Sequence, residues 1–301
     1  MSQAVEYYKI ADMIIEIKGE EAYFSQRLEV FPYDGKESAQ MFVSIQEQDY
    51  PAVPFSDDPG WKPMGQYLLY FGKDEIIQYY PHMLHAGPRY ILYSEHFHRV
   101  KYFFADRWED DFVQNEMGYE RYRRNIQIIF MKTFQQAFFN MVLFEQGMSV
   151  HSSSLIYENA GIIFSAPSGT GKTTHTRYWT EVADAEILDG DVTVCREIDG
   201  QLFIYGLPWC GSSAEFQNRK VKLKSIVFLG QGSENKVRRP DEYEAFQRVF
   251  ASTFSEAWDQ QMLSKRMECT EKIVKQVPCF YYDCKNEQDA VWPIKKVIDE
   301  I

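Results

Sequence analysis

The sequence lacks a cationic excess: 32 Lys and Arg stand against 44 Asp and Glu, a net charge of −12. Nucleic acid is held by neutralising cations, so no nucleic-acid partner is expected. Long apolar runs are missing too, and nothing approaches the roughly 20 uncharged residues a helix needs to cross a bilayer, so no membrane span is expected. Cysteine is sparse. Its five positions, Cys195, Cys210, Cys269, Cys279 and Cys284, form no Cys-x-x-Cys motif, and buried free thiols are the expectation. Residues Met1 to Glu6 show neither the basic nor the apolar region of a secretory leader. With an odd cysteine count, that points to a reducing, cytoplasmic setting. No internal repeat or low-complexity tract is present, which excludes a solenoid.

Aromatics are plentiful, 22 Phe and 20 Tyr, so parts of the fold are expected to pack on rings. Residues 1–112 read as β-rich. Strand patterns cover residues 10–17, 41–45, 66–72, 75–80, 89–93 and 100–104, with breakers at Pro32–Gly35, Pro51–Pro63 and Ala86–Pro88. The spacing suits a meander or a small sandwich. His82, His85, His96 and His98 are too scattered for a metal cluster. Across 113–147, Met131, Phe134, Phe138, Met141 and Val142 recur at helical spacing before Gly147, predicting a connecting helix with a core-facing stripe. Residues 148–301 alternate strands with helices. One strand is predicted over 150–157, a hairpin turn at 158–161, and a second hairpin around Asp199–Gly200. A further strand covers 222–230, and beyond Pro240 come two or three helices with a strand at 278–282. The fold class is α/β (α+β): a β-rich N-terminal region, then a core with a mixed sheet and C-terminal helices.

The chemistry concentrates in Ala166-Pro167-Ser168-Gly169-Thr170-Gly171-Lys172-Thr173-Thr174. A phosphate-binding loop needs glycines that let amides curl around an anion, a lysine for the outer phosphates, and a hydroxyl for Mg²⁺. Here Ala166 stands in the leading glycine position. An apolar run, Gly161 to Ser165, precedes the loop, and Thr173 to Trp179 can open a helix. Strand, turn and helix N-terminus is the order that aims free N–H groups at an anion. Asp189 and Asp191 follow the apolar Ile187-Leu188 and are the candidate metal ligands or base. An Asp-Gly-Asp turn of no catalytic meaning is the plain alternative.

His151, then Ser165 to Thr174, then Ala185 to Asp191, together with Tyr205-Gly206-Leu207-Pro208-Trp209-Cys210-Gly211, resemble the HPr kinase/phosphorylase and phosphoenolpyruvate carboxykinase superfamily. The closer likeness is to HPr-kinase-like proteins, and it covers roughly residues 148 to 301. The resemblance implies a P-loop kinase core that binds ATP with Mg²⁺, or Mn²⁺ in its place. His151 then stands beside the transferred phosphate, and Lys172 and Thr173 serve the phosphates and the metal. The family has two adjacent aspartates; aligned on Asp191, the first falls on Gly190 and leaves Asp189 one place early. Ser212-Ser213 replaces the family's Gly-Lys. Arg219 and Lys220 form a basic pair suited to phosphate.

The expected activity is ATP-dependent transfer of a phosphoryl group to a Ser/Thr hydroxyl of a peptide or small protein, or to a small metabolite. The expected catalytic set is His151, Lys172, Asp189 and Asp191, with metal held by Thr173, Asp191 and Asp189. Residues 1–112, which carry no chemistry, are the candidate for substrate recognition, and the family's habit implies a homo-oligomer. A carboxykinase-like enzyme and a non-catalytic nucleotide-sensing module are the rivals.

Overall fold

The structure, a computed structural model, describes residues 4–20, 23–47, 60–81, 87–104, 116–211 and 214–301. Contacts between residues divide it into two units, Met1–Met141 and Val142–Ile301.

The first unit is built on β1 (Ala4–Ile10), β2 (Met13–Gly19), β3 (Met41–Glu47), β4 (Trp61–Met64), β5 (Tyr67–Phe71), β6 (Glu75–Tyr79), β7 (Pro88–Ser94) and β8 (Arg99–Phe104). They form one sheet in the order β1-β2-β3-β8-β7-β6-β5-β4. β3 runs parallel to both β2 and β8, and the other pairs are antiparallel, so β4 to β8 make a meander, and the described strands of this unit form a single sheet. The sequence pattern takes residues 10–17 as one strand. Instead the chain reverses at Ala11 and Asp12, whose φ values of 52° and 61° give the two-residue hairpin turn that matches strand twist. Alanine at the first turn position is what hides it. β4 contains Pro63 and lies at the sheet edge, the place where a missing N–H costs nothing.

Rings pack across this sheet. Trp61 lies 5.5 Å from Tyr70, and Tyr79 stacks on Tyr90 at 4.7 Å. Helix α1 (Glu116–Phe144) buries Ile126, Phe130, Phe134 and Phe138, and Phe130 packs on Tyr102 at 5.2 Å. The boundary between units falls in its last turns, after Met141. His82 and His85 lie outside the described residues. His98 Nδ1 is 2.9 Å from the Gln40 carbonyl. Among the described residues no three His, Cys, Asp or Glu side chains gather to hold a metal.

The second unit contains β9 (Gly147–His151), β10 (Ser153–Tyr157), β11 (Ala160–Ser165), α2 (Lys172–Val182), β12 (Glu186–Asp189), β13 (Val192–Ile198), β14 (Gln201–Tyr205), β15 (Lys220–Gln231), β16 (Lys236–Arg238), α3 (Glu242–Ala251), α4 (Gln260–Gln276), β17 (Cys279–Cys284) and α5 (Val291–Asp299). The sheet order is β12-β10-β11-β15-β14-β13-β9, and β17 pairs with β15 and β16. β11, β15 and β17 run parallel to one another, and the hairpins at Glu158-Asn159 and Asp199-Gly200 use left-handed backbone.

The two ends of this sheet are successive halves of the same strand pair. Only Ser152 separates β9 from β10, and only Gly190-Asp191 separates β12 from β13. Both strands bend at one level, where the Ser152 N–H donates to the Asp191 carbonyl at 3.0 Å. One face, with Ile163, Ile226 and Phe228, packs with Val249 of α3 and Ile273 of α4. The opposite face, with Ile162, Phe164 and Val227, packs with Trp179 of α2 and Ile294 and Ile298 of α5.

Candidate functional site

β11 delivers the phosphate loop. Its last residue, Ser165, is buried, and Pro167 to Gly169 are exposed. Gly169 and Gly171 adopt φ of +79° and +104°, and a Cβ on either would meet nothing within 4 Å. Glycine is therefore required here by backbone conformation and not by crowding. Gly171 is the N-cap of α2, and no side chain caps that helix start, so its first amides remain available to an anion. The Thr176 hydroxyl, 3.1 Å from the Lys172 carbonyl and 3.0 Å from Ser153 Oγ, pins the first turn of α2 to β10.

Lys172 is buried, and its Nζ donates to the Ala166 carbonyl at 2.8 Å across the loop mouth. Burial lowers its pKa from the ordinary lysine value, and the Asp191 charge opposes that. Thr173 and Thr174, in the same turn, are partly exposed. The neighbouring His175 is not a site histidine. It is buried, its Nε2 accepts from Trp179 Nε1 at 3.2 Å, and burial pulls its pKa down to about 4.

The bend of the sheet brings His151 and Asp191 together, with Nε2 and Oδ1 3.7 Å apart and the side chains 28% and 40% exposed. Burial first, then the Lys172 charge, lower the His151 pKa, with Asp191 opposing. Its ring lies 5.1 Å from that of Phe254. Asp191 Oδ2 has no hydrogen-bond partner among the described residues. The loop after β14 leaves room for it at Gly211, where φ is +59° and a Cβ would sit 2.7 Å from that oxygen.

Asp189 does not join them. It is fully buried, and its carboxylate is spent on the backbone. Oδ1 accepts from the Asp191 and Val192 amides at 3.0 and 3.1 Å, and Oδ2 from the Leu207 amide at 2.9 Å. Burial raises its pKa to about 8 against the pull of those three amides. These bonds fix the bend and tie the start of the Gly206–Gly211 loop to it, so in this geometry Asp189 does not face the loop with His151 and Asp191 as the expected metal ligand or base would.

Arg219 and Lys220 are likewise not at the loop. β11 begins opposite Lys222 and ends opposite Phe228. Lys220 therefore lies beyond the start of a strand whose far end, roughly 17 Å away, carries the loop. Arg219 pairs with Glu186 at 2.9 Å, and the Lys220 ammonium lies 4.4 Å from the centre of the Phe203 ring. Ser212 and Ser213 lie outside the described residues.

A cleft of about 210 Å³ opens beside the loop, walled by His151, Ser165, Ala166, Pro167, Phe228 and Arg248 among others. Arg248 and Phe228 carry no motif, and Arg248, four residues after Glu244, reads in sequence as an ordinary helix-surface ion pair.

The residues fit a magnesium nucleotide better than a protein-only metal centre. Mg²⁺ is usually held by one or two protein oxygens with phosphates and water completing the shell. Asp191, with one oxygen unpartnered and space kept at Gly211, and the Thr173 hydroxyl are the residues that would hold it.

No family model matches the sequence, and no curated protein matches it. Among solved structures, the Hpr(Ser) kinase/phosphatase from Coxiella burnetii is similar at 10% sequence identity with a TM-score of 0.30, over 50% of this chain and 98% of that chain. A TM-score of that size does not place this chain in that protein's fold family.

Proposed function

We propose that this chain is an ATP-dependent phosphotransferase that moves the terminal phosphoryl group of ATP to a hydroxyl acceptor, a Ser/Thr of a peptide or small protein. The observation that carries the reading is the strand-loop-helix unit from Ser165 to Lys172. Two left-handed glycines, an uncapped helix start and an inward lysine stand where Asp191 and His151 also converge. Phosphoryl transfer asks little of a protein beyond placing the phosphates, neutralising their charge and orienting the nucleophile.

In this reading the amides of Gly169 to Thr173 cradle the phosphates, and Lys172 exchanges the Ala166 carbonyl for a phosphate oxygen. Thr173 and Asp191 would hold Mg²⁺, whose charge would offset that of the phosphates. His151, with its pKa lowered, is the neutral imidazole that accepts the acceptor's proton as the new O–P bond forms and the bond to the leaving ADP oxygen breaks. Asp189 holds the bend that carries Asp191 and takes no part in the chemistry.

One observation favours a second reading, a nucleotide-sensing module without turnover: of the two acids, only Asp191 is open to a ligand. Labelled ATP decides between them. Incubation with [γ-³²P]ATP, Mg²⁺ and a panel of Ser/Thr peptides should give labelled product with the wild-type chain and none with Lys172→Ala. Mg-ADP binding without label transfer to any peptide supports the sensor, and absence of nucleotide binding removes both.

A further inference from the structure

The cleft beside the phosphate loop is lined both by the incoming limb of the loop, Ser165 to Pro167, and by Arg248 of α3. Arg248 is held unusually firmly for a residue on a helix surface. Its Nε and Nη2 both reach Glu244 Oε1, at 2.9 and 2.8 Å, and its guanidinium lies 4.3 Å from the centre of the Tyr281 ring. Glu244 is itself fixed by Arg238, through Nη1 to Oε2 at 2.6 Å and Nη2 to Oε1 at 2.7 Å. Arg238 lies 4.4 Å from the same Tyr281 ring. This ring belongs to the row of the sheet that ends at the loop, since Ser165 pairs with Phe228 and Phe228 with Tyr281.

A carboxylate and a ring therefore pre-set the orientation of Arg248, while Nη1, with two N–H donors, has no hydrogen-bond partner among the described residues. A guanidinium with one edge fixed and the other unpartnered suits an anion with several equivalent oxygens, because little order remains to be created on binding. Lys172 already crosses the loop mouth, so Arg248, which lines the cleft with Ser165 to Pro167, would be a second cation for the phosphate chain.

Resting on the nucleotide reading above, we infer that Arg248 binds the terminal phosphoryl group and so distinguishes a nucleoside triphosphate from a diphosphate. The simpler alternative, a Glu244–Arg248 helix pair with no ligand, gives no such discrimination.

Calorimetric titration of the full chain with Mg²⁺ and either β,γ-imido-ATP or ADP tests this without an acceptor. Arg248→Ala should weaken the triphosphate analogue about tenfold or more, the loss of a charge-assisted hydrogen bond, and change ADP by less than about twofold. Arg248→Lys should fall between, since the charge stays and the fork is lost. Arg238→Ala loosens Glu244 but keeps the Arg248 guanidinium, and should lower the ratio of the two affinities by less than Arg248→Ala does; a drop as large as that of Arg248→Ala would count against a direct contact. An unchanged ratio in Arg248→Ala, whether both affinities hold or both drop equally, overturns the inference. Should Arg248→Ala fail to fold, an unchanged ratio in Arg248→Lys does the same. Failure of the wild-type chain to bind ADP is a separate result that removes the nucleotide reading itself.

Discussion

A carboxylate that already accepts three backbone amides in a buried site has little acceptor capacity left for a metal or a proton. Asp189 is in that position and Asp191 is not, although they stand one residue apart. The difference is set by the bend: Asp189, at the end of β12, lies under the amides of Asp191, Val192 and Leu207, while Asp191, past the bend, faces His151. Substitution by asparagine separates the roles. In Asp189→Asn, Oδ1 can keep the Asp191 and Val192 amides, but an amide group then faces the Leu207 N–H, donor against donor. That costs about 1–3 kcal/mol, so thermal melting should show a clear drop in midpoint. Asp191→Asn loses one long ion pair on a partly exposed side chain and should cost under about 0.5 kcal/mol. Its expected defect appears in calorimetry, as loss of the Mg²⁺ dependence of ADP affinity. A magnesium-dependent defect in Asp189→Asn at unchanged midpoint would reverse the assignment.

At the scale of elements, the same Gly→Ala change should have opposite consequences in two loops. A Cβ on Gly206 would lie 2.1 Å from the Gln217 carbonyl and 2.7 Å from that of Leu188. Both are backbone atoms in a buried layer, so Gly206→Ala must displace the strand end and should lower the melting midpoint strongly. At Gly171 nothing blocks a Cβ, and only φ of +104° is at issue, a strain of roughly 1–3 kcal/mol that the exposed loop relieves by relaxing. Gly171→Ala should therefore melt within a few degrees of wild type while Mg-ADP affinity falls at least about tenfold, because the amides no longer converge. A large loss of midpoint in Gly171→Ala with nucleotide affinity intact would contradict this.

The same contrast explains what the sequence made legible. A loop that must curl, carry a lysine and open a helix constrains residue type at nearly every position, so Ala166 to Thr174 stands out unaided. The bend at Ser152 does not, because serine is acceptable in a straight strand, and residues 150–157 read as one element. β1 and β4 are the two edges of the first sheet. Each has a strand partner on one side only, and they carry exposed residues that blur the alternation. Arg248 was invisible for a different reason: its meaning comes from Tyr281 and Ser165, which the sheet, and not the chain, brings near it. Arg219 and Lys220 misled conversely, as adjacent charges imply a joint role that strand register denies them.

For the molecule as a whole, the proposed division of labour places nucleotide chemistry in residues 142–301 and acceptor recognition in the β-rich region before it. Every residue assigned to the site, and every wall of its cleft, lies in the second unit. That unit has clusters of buried residues on both faces of its own sheet. Removing residues 1–110 leaves α1 but takes away Tyr23 and Tyr102, on which Phe130 packs at 6.3 and 5.2 Å. The shortened chain should therefore expose an apolar helix stripe, so a cooperative melt must be shown before its activity is read. Given that melt, Mg-ADP affinity is expected to stay within about threefold of the full chain, well under the tenfold that 1.4 kcal/mol represents. Transfer of label from [γ-³²P]ATP to any peptide the full chain phosphorylates is expected to disappear. Retention of peptide phosphorylation by the shortened chain would place acceptor recognition in the second unit. Loss of ADP affinity from a chain that still melts cooperatively would mean the nucleotide site depends on residues before 111, against the division proposed for the two units.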